Sequence, residues 1–296
     1  RMDDQTTILL AHGGGGRLMD ELLRRVILPK LSQPPQPLLD AAYVETGAGP
    51  VCFTTDSFVV RPLFFPGGDI GKLAVCGTVN DLAVAGARPQ VLSLALILEE
   101  GFALAQLEQI LESAAQTARQ AGVRIVTGDT KVVEKGAADG LFINTAGIGL
   151  PLENVSLGFE QIAAGDRILI NGTIGDHGMT VLSKRGDIPF EGDLESDCAC
   201  LNGLIEQLTA ACGRQIKFMR DPTRGGIAAV LNEIAVGAGV NIEIEEAALP
   251  VRPAVRSAAD MLGLDILHIA NEGKVIAIVS QAAAQTALEV SRSHPL

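Results

Sequence analysis

Aromatic side chains are scarce in this sequence: its 296 residues include no tryptophan, one tyrosine and nine phenylalanines. Cations are also in short supply, with 23 Lys and Arg against 35 Asp and Glu and a formal net charge of -12. Nucleic-acid binding draws on cationic grooves and aromatic stacking platforms, so this composition argues against it. A phosphate-bearing ligand has to arrive with its own cation, which points towards magnesium held by carboxylates. No apolar run reaches the roughly 18 residues that cross a bilayer, because Gly, Asn, Asp or Arg interrupts the longest stretches. No membrane partner is expected. The amino-terminal residues lack the basic stretch, apolar block and cleavage site of an export signal, so a cytoplasmic location is expected. The five cysteines, Cys52, Cys76, Cys198, Cys200 and Cys212, are odd in number and lie among Ala, Val and Leu. That pattern suits buried thiols in a reducing compartment better than a disulfide framework. Cys198-Ala-Cys200 lacks the spacing and the second ligand pair of a structural zinc site, and reads as core filling.

What is present is apolar and small. A chain of this length can hide roughly 75% of its unfolded surface, and its size suggests two domains. Residues 17–31 place Leu18, Leu22, Leu23, Val26 and Ile27 at helical spacing before a Pro-rich stop at 33–37. Residues 51–60 read as a strand interrupted by Asp56, and 71–87 as a helix of small apolar residues that must be buried all round. A helix over 104–121 and strands over 123–127 and 141–146 follow. The turn-rich stretch 151–165 marks a boundary, giving domains 1–153 and 154–296. The second half predicts strands at 167–171, 240–245 and 274–280, with helices near Thr180, over 198–212 and over 223–238. Two α+β domains result.

Four carboxylates stand at the ends of apolar strands or inside a small-residue helix: Asp56, Asp81, Asp129 and Asp221. Asp81 follows Asn80 in a helix otherwise built of Leu, Ala, Val and Gly, where a lone buried carboxylate costs several kcal/mol. A buried Arg or a backbone donor could satisfy one such group; four together favour a divalent cation. Asp129 and Lys131 sit at the expected end of a strand running into a turn and project to one side, where one could hold metal and the other phosphate. Asp221-Pro222 opens a helix, so Asp221 is equally a helix cap or a metal ligand.

Glycine loops add weaker signals. His12 followed by Gly13, Gly14, Gly15 and Gly16 precedes a helix, where backbone N–H groups can turn towards an anion. Gly67-Gly68-Asp69-Ile70-Gly71-Lys72 is not a Walker A loop, and no dinucleotide fingerprint is present. Asn271-Glu272-Gly273-Lys274 either places an acid and a base at a strand mouth or forms a polar turn. His177 in Gly175-Asp176-His177-Gly178 is either an acid or base or a residue at the start of a helix. A strained serine elbow for Ser-His-Asp catalysis is missing.

These segments, together with Thr55-Asp56-Ser57, Phe64-Phe65-Pro66-Gly67-Gly68, Gly128-Asp129-Thr130-Lys131-Val132-Val133 and Arg220-Asp221-Pro222-Thr223-Arg224-Gly225-Gly226, occur in the order seen in the HypE family of nickel-iron hydrogenase maturation factors. The resemblance covers the whole chain and places it in the aminoimidazole ribonucleotide synthetase-like (PurM-like) superfamily. It implies an α+β, two-domain PurM-like fold: an N-terminal mixed sheet that pairs in a homodimer, and a C-terminal α/β sandwich. It also implies ATP and Mg2+, with metal at Asp56, Asp81, Asp129 and Asp221, and nucleotide contacts at Gly13, Gly14, Gly15, Lys72, Asn80, Thr130 and Lys131. Glu272, Lys131 and His177 become the candidate catalytic residues. The implied reaction is ATP-dependent dehydration of an S-carbamoyl group to a thiocyanate, which supplies cyanide to iron, with the carbamoyltransferase HypF and the HypC-HypD complex as partners. The family's tail ends in Pro-Arg-Ile-Cys, whereas this sequence ends at His294-Pro295-Leu296, so the chain as written is expected to bind nucleotide without completing turnover on itself. Two alternatives stand beside this reading: another PurM-like kinase or synthetase acting on a free small molecule, and a non-catalytic maturation scaffold.

Overall fold

The computed structural model describes residues 7–31, 38–186 and 194–296. Near the amino terminus α1 (Arg17–Leu22) runs through a π turn (Leu23–Ile27) into the short α2 (Leu28–Lys30). β1 (Ala42–Thr46) and β2 (Gly49–Phe58) form an antiparallel pair, and the small hairpin of β3 (Phe64–Phe65) and β4 (Gly68–Asp69) leads into α3 (Ile70–Val84). Asp69 starts that helix by accepting the N–H groups of Gly71 and Lys72 at 2.7 and 3.1 Å. All of α3 except Lys72 and Asp81 is buried. Such a helix needs no apolar stripe, because protein covers every side of it.

The cover is a five-stranded sheet in the order β1-β2-β7-β5-β6, where β5 is Ala87–Glu99, β6 Arg124–Val133 and β7 Leu141–Pro151. Only β5 and β6 are parallel, joined by the crossover helix α4 (Leu104–Ala121). α4 can lie against α3 because residue 71 is glycine: a Cβ there would fall 2.2 Å from the Ile110 carbonyl oxygen. Thr145 of β7 faces α3, its hydroxyl in short contact with that of Thr78 and 3.3 Å from the Ala74 carbonyl. The inner face of the sheet is thereby defined.

The second half is built on a three-stranded antiparallel sheet, β8-β10-β9, with β8 at Arg167–Ile170, β9 at Ile216–Arg220 and β10 at Ile276–Val279. β10 is central and wholly buried: Ala277 and Val279 join a core with α6 (Asn202–Cys212) and α9 (Ala284–Ser293), while Ile276 and Ile278 join one with α7 (Gly226–Ala238). A strand apolar on both faces is the signature of a layer covered on both sides. α5 (Asp176–Arg185) and α8 (Pro253–Leu262) pack together at one end.

Several expected elements differ. The strand expected to stop at 127 runs on through Gly128 to Val133. The helix expected from Cys198 begins at Asn202, and 194–201 is irregular because Asn80 binds its backbone instead. α7 starts at Gly226, and its N-cap is Gly225 at φ 76°, so Asp221 does not cap it. No strand forms over 240–245, which lacks a sheet neighbour. β5, the strand between β7 and β6, was not anticipated: its run of Leu and Ile fits helix and strand alike.

Candidate active site

A cleft of about 1070 Å³ opens between α1, the first sheet and α7. Gly15, Gly16 and Arg17 line one side; Phe159, Val236 and Gly237 line another; Asp40, Asp56, Asp81 and Asp221 meet within it. Asp40 leads into β1, Asp56 lies on β2, Asp81 on α3, and Asp221 follows β9, so four separate elements converge. Asp40, Asp81 and Asp221 each bring a carboxylate oxygen to within 4.8 Å of the others.

Like charges at that separation cannot all stay ionised out of water. Burial, with the neighbouring Asp221, Asp40 and Asp56 charges, pushes Asp81 well above the usual carboxylate range. Burial raises Asp221 to about 8, and it raises Asp40 to about 6 against the opposing pull of Arg220. Arg220 lies 3.2 Å from Asp40 and 3.1 Å from Glu233, and donates to the Leu38 carbonyl at 3.0 Å. Buried Thr54 backs the cluster, its Oγ1 3.0 Å from Asp81 and donating to the Asp40 carbonyl at 2.7 Å. An all-oxygen donor set that the protein's own cations leave under-neutralised fits a hard divalent ion such as magnesium.

Behind the carboxylates lies an acid-imidazole pair. His177 Nε2 is 3.9 Å from Glu272 Oε1, and its Nδ1 is 2.8 Å from Ser196 Oγ. Burial lowers His177 to about 4, so its imidazole is neutral near pH 7. Burial first, and then Asp221, Asp197 and Asp56, raise Glu272 well above its usual range. The Phe65 and His177 rings meet perpendicular to each other, with centroids 5.4 Å apart. Asp197 accepts the Glu272 N–H at 3.2 Å and faces Lys274 Nζ at 3.5 Å. This packing requires glycine at 273, where a Cβ would sit 1.9 Å from the Asp197 carbonyl oxygen.

The residues expected from sequence therefore divide. Asp56, Asp81, Asp221 and Gly15 line the cleft, and His177 and Glu272 meet beside it. Gly15 adopts φ +76° with Arg224 packed against it, a position that excludes other residues. Gly13 and Gly14 lie outside the lining, in and just after the turn Leu10–Gly13. Lys72 donates to the Gly67 carbonyl at 2.8 Å. Asn80, expected to meet nucleotide, is buried outside the cleft lining, where its amide donates to the Ala199 and Glu272 carbonyls and accepts from Leu201. Asp129, Thr130 and Lys131, expected at the metal and nucleotide, lie outside the lining of this cleft. Asp129 registers with Ala95 and Asn144 on the outer face of the sheet, opposite the row of Asp56 and Thr145 that faces α3. It is exposed and pairs with Lys131 at 2.9 Å.

Asp40, Arg220, Ser196 and Asp197 were missed. Asp40 carried a usable signal as an acid just ahead of a strand, but no strand was expected at 42–46. The other three act through contacts that cross more than 70 residues or depend on the irregular segment 194–201.

This fold and this convergence of carboxylates define a class. Residues 39–150 match the family model of the AIR synthase related protein N-terminal domain, and residues 163–296 match that of its C-terminal domain. Within that class the chain belongs to the HypE family. It is 50% identical over 290 residues to carbamoyl dehydratase HypE of Bradyrhizobium diazoefficiens, spanning 97% of this chain and 83% of that protein. Among solved structures it resembles that of a HypE-HypF complex, with TM-score 0.87 and 50% identity, covering 95% of this chain and 90% of that one. It also resembles hydrogenase maturation protein HypE in complex with ATP, with TM-score 0.80 and 48% identity over 98% and 86% of the two chains.

Proposed function

We propose that the chain uses ATP to remove the elements of water from a carbamoyl group, leaving a cyano group, in the maturation of nickel-iron hydrogenase. The observation that carries this reading is the placement of an all-oxygen cation site, Asp40-Asp81-Asp221, against a buried carboxyl-imidazole pair, Glu272-His177. The first suits phosphate chemistry and the second suits proton removal.

Asp40, Asp81 and Asp221 would hold magnesium, with Asp56 adding negative charge beside them. When bound, the ion neutralises and orients phosphate oxygens. Arg224, half exposed and 3.6 Å from Asp56, is a side-chain cation of the cleft placed to meet a phosphate, and Phe159 and Val236 supply an apolar wall for a purine. An amide oxygen leaves poorly, and phosphoryl transfer from ATP converts it into a good leaving group. The nitrogen must then lose both protons as the triple bond forms. Glu272 is the base in this reading: its raised affinity for protons makes it the stronger base of the pair, and His177, held neutral by burial, stands 3.9 Å away as its polar neighbour. Ser196 holds the ring through Nδ1, leaving Nε2 turned to Glu272.

The substrate is a thiocarboxamide on a C-terminal cysteine and the product a thiocyanate. HypF, found with the related protein in a solved complex, is the carbamoyl donor, and the HypC-HypD complex is the acceptor. A second copy of the chain covers the outer face of the first sheet, where Phe53, Ile97 and Ile148 are 41%, 42% and 40% exposed on the same face as Asp129 and Lys131. No helix among the described residues is long and apolar enough to cross a membrane, and the scarcity of cations agrees with a partner set without nucleic acid.

Incubation with ATP, magnesium and an S-carbamoylated cysteine peptide, read by mass spectrometry, tests the reading. Loss of one water from the peptide with formation of ADP supports it. Nucleotide consumption without any change in the peptide, or phosphorylation of a free small molecule instead, would replace it with the kinase alternative.

A further inference from the structure

Three of the five cysteines meet at one point, away from the cleft. Cys76 of α3 lies with its sulfur 3.3 Å from that of Cys200, and its thiol also meets that of Cys198. All are free thiols; Cys76 is fully buried and Cys198 is 3% exposed, while Cys200 is partly open. The arrangement is held by the backbone. Asn80, one turn along α3 from Cys76, donates to the Ala199 carbonyl and accepts the Leu201 N–H, so it grips the chain on both sides of Cys200. Two sulfurs brought together from 124 residues apart in the sequence lie on the path to a bond.

We propose that Cys76 and Cys200 are a peroxide-oxidisable thiol pair whose disulfide ties α3 to the segment 194–201. Cys200 is the point of attack because it alone of the three is partly open. Its thiolate attacks one oxygen of hydrogen peroxide, the O–O bond breaks, and hydroxide leaves as water after taking a proton, giving a sulfenic acid on Cys200. The Cys76 sulfur then attacks the Cys200 sulfur, the S–O bond breaks, and the departing hydroxide takes the Cys76 proton as a second water. Two thiols and one peroxide yield one disulfide and two waters. The link joins the helix that carries Asp81 to the segment that carries Ser196, and so adds a covalent tie between the cation site and the His177 pair.

The test treats the full chain with a small excess of hydrogen peroxide, alkylates the remaining thiols in denaturant and maps unreduced peptides by mass spectrometry. Five alkylatable thiols should fall to three, with Cys76 linked to Cys200 and dithiothreitol restoring all five. Cys200→Ser, a conservative change at a partly open position, should keep its other four thiols under the same treatment. Cys76→Ser should stop at a Cys200 sulfenic acid that dimedone captures. Five surviving thiols in the unaltered chain, a link made through Cys198, or loss of thiols in Cys200→Ser would each overturn the proposal.

Discussion

Asp81 and Asp129 look alike in the sequence and behave oppositely in the fold. Both are acids amid small and apolar residues, and both were expected to hold metal. Asp81 is set in a buried helix against two other carboxylates, and its proton affinity rises well above normal, first through burial. Asp129 stands in water on the outer face of an edge strand, and Lys131 at 2.9 Å holds its proton affinity below normal. Within one chain, an acid paired with a lysine exerts a weaker pull on a cation than an acid crowded by other acids. The electrostatic debt, more than the residue type, marks the site.

The largest effect is expected at Glu272, the base of the proposed reaction. Glu272→Gln should cut dehydration about 10³-fold, the scale of a general base, and leave ATP affinity within twofold. Unchanged turnover in that variant would remove Glu272 from the chemistry. Next comes Arg220→Met, which strips the cation from Asp40 and Glu233 and should cost about 3 kcal/mol in urea unfolding near pH 8, where Asp40 is ionised. A loss equal at pH 5 and pH 8 would show that Arg220 acts through packing alone.

A smaller and more diagnostic effect is the pH dependence. Asp40 and Asp221 titrate at about 6 and about 8 in the folded chain against a usual value near 3.8. The folded state therefore binds protons that the unfolded state has released. Stability without divalent ions should be full near pH 4 and fall as pH rises through about 6 and about 8. Magnesium should reverse that fall, because it replaces the protons. Melting temperatures across that range, with and without magnesium, read this out; a flat profile without the ion would mean that the three carboxylates are not in conflict. The smallest effect is at the outer face. Asp129→Asn, measured at concentrations where the chain is monomeric, should change magnesium-dependent ATP affinity by less than threefold and leave the melting temperature unaltered.

Much of the fold was legible because its strongest elements obey one rule each. α4 is amphipathic, and its helix was expected over the same residues that form it. α3 is all small and apolar, and burial all round followed from that. β5 was illegible because leucine-rich runs suit either period, and only the pairing of both its edges decides for strand. In the site, Asp56, Asp81 and Asp221 stood out as charges in apolar surroundings. Asp129 stood out for the same reason and fell on the other face, because strand alternation assigns faces only once the register is known. Asn80 gave a polar signal that the fold spends on holding Ala199, Leu201 and Glu272. Asp40 was hidden by an unforeseen strand, and Ser196 by a segment whose path depends on Asn80.

The central claim is that Asp81, with Asp40 and Asp221, forms the cation site through which ATP is held. Calorimetric titration of ATP, with and without magnesium, into the intact chain and into Asp81→Asn addresses it directly. Binding that needs magnesium in the intact chain and weakens at least 100-fold in the variant, about 2.7 kcal/mol, is the expected result. Equal, magnesium-dependent binding by both proteins would place the cation elsewhere and undo the assignment.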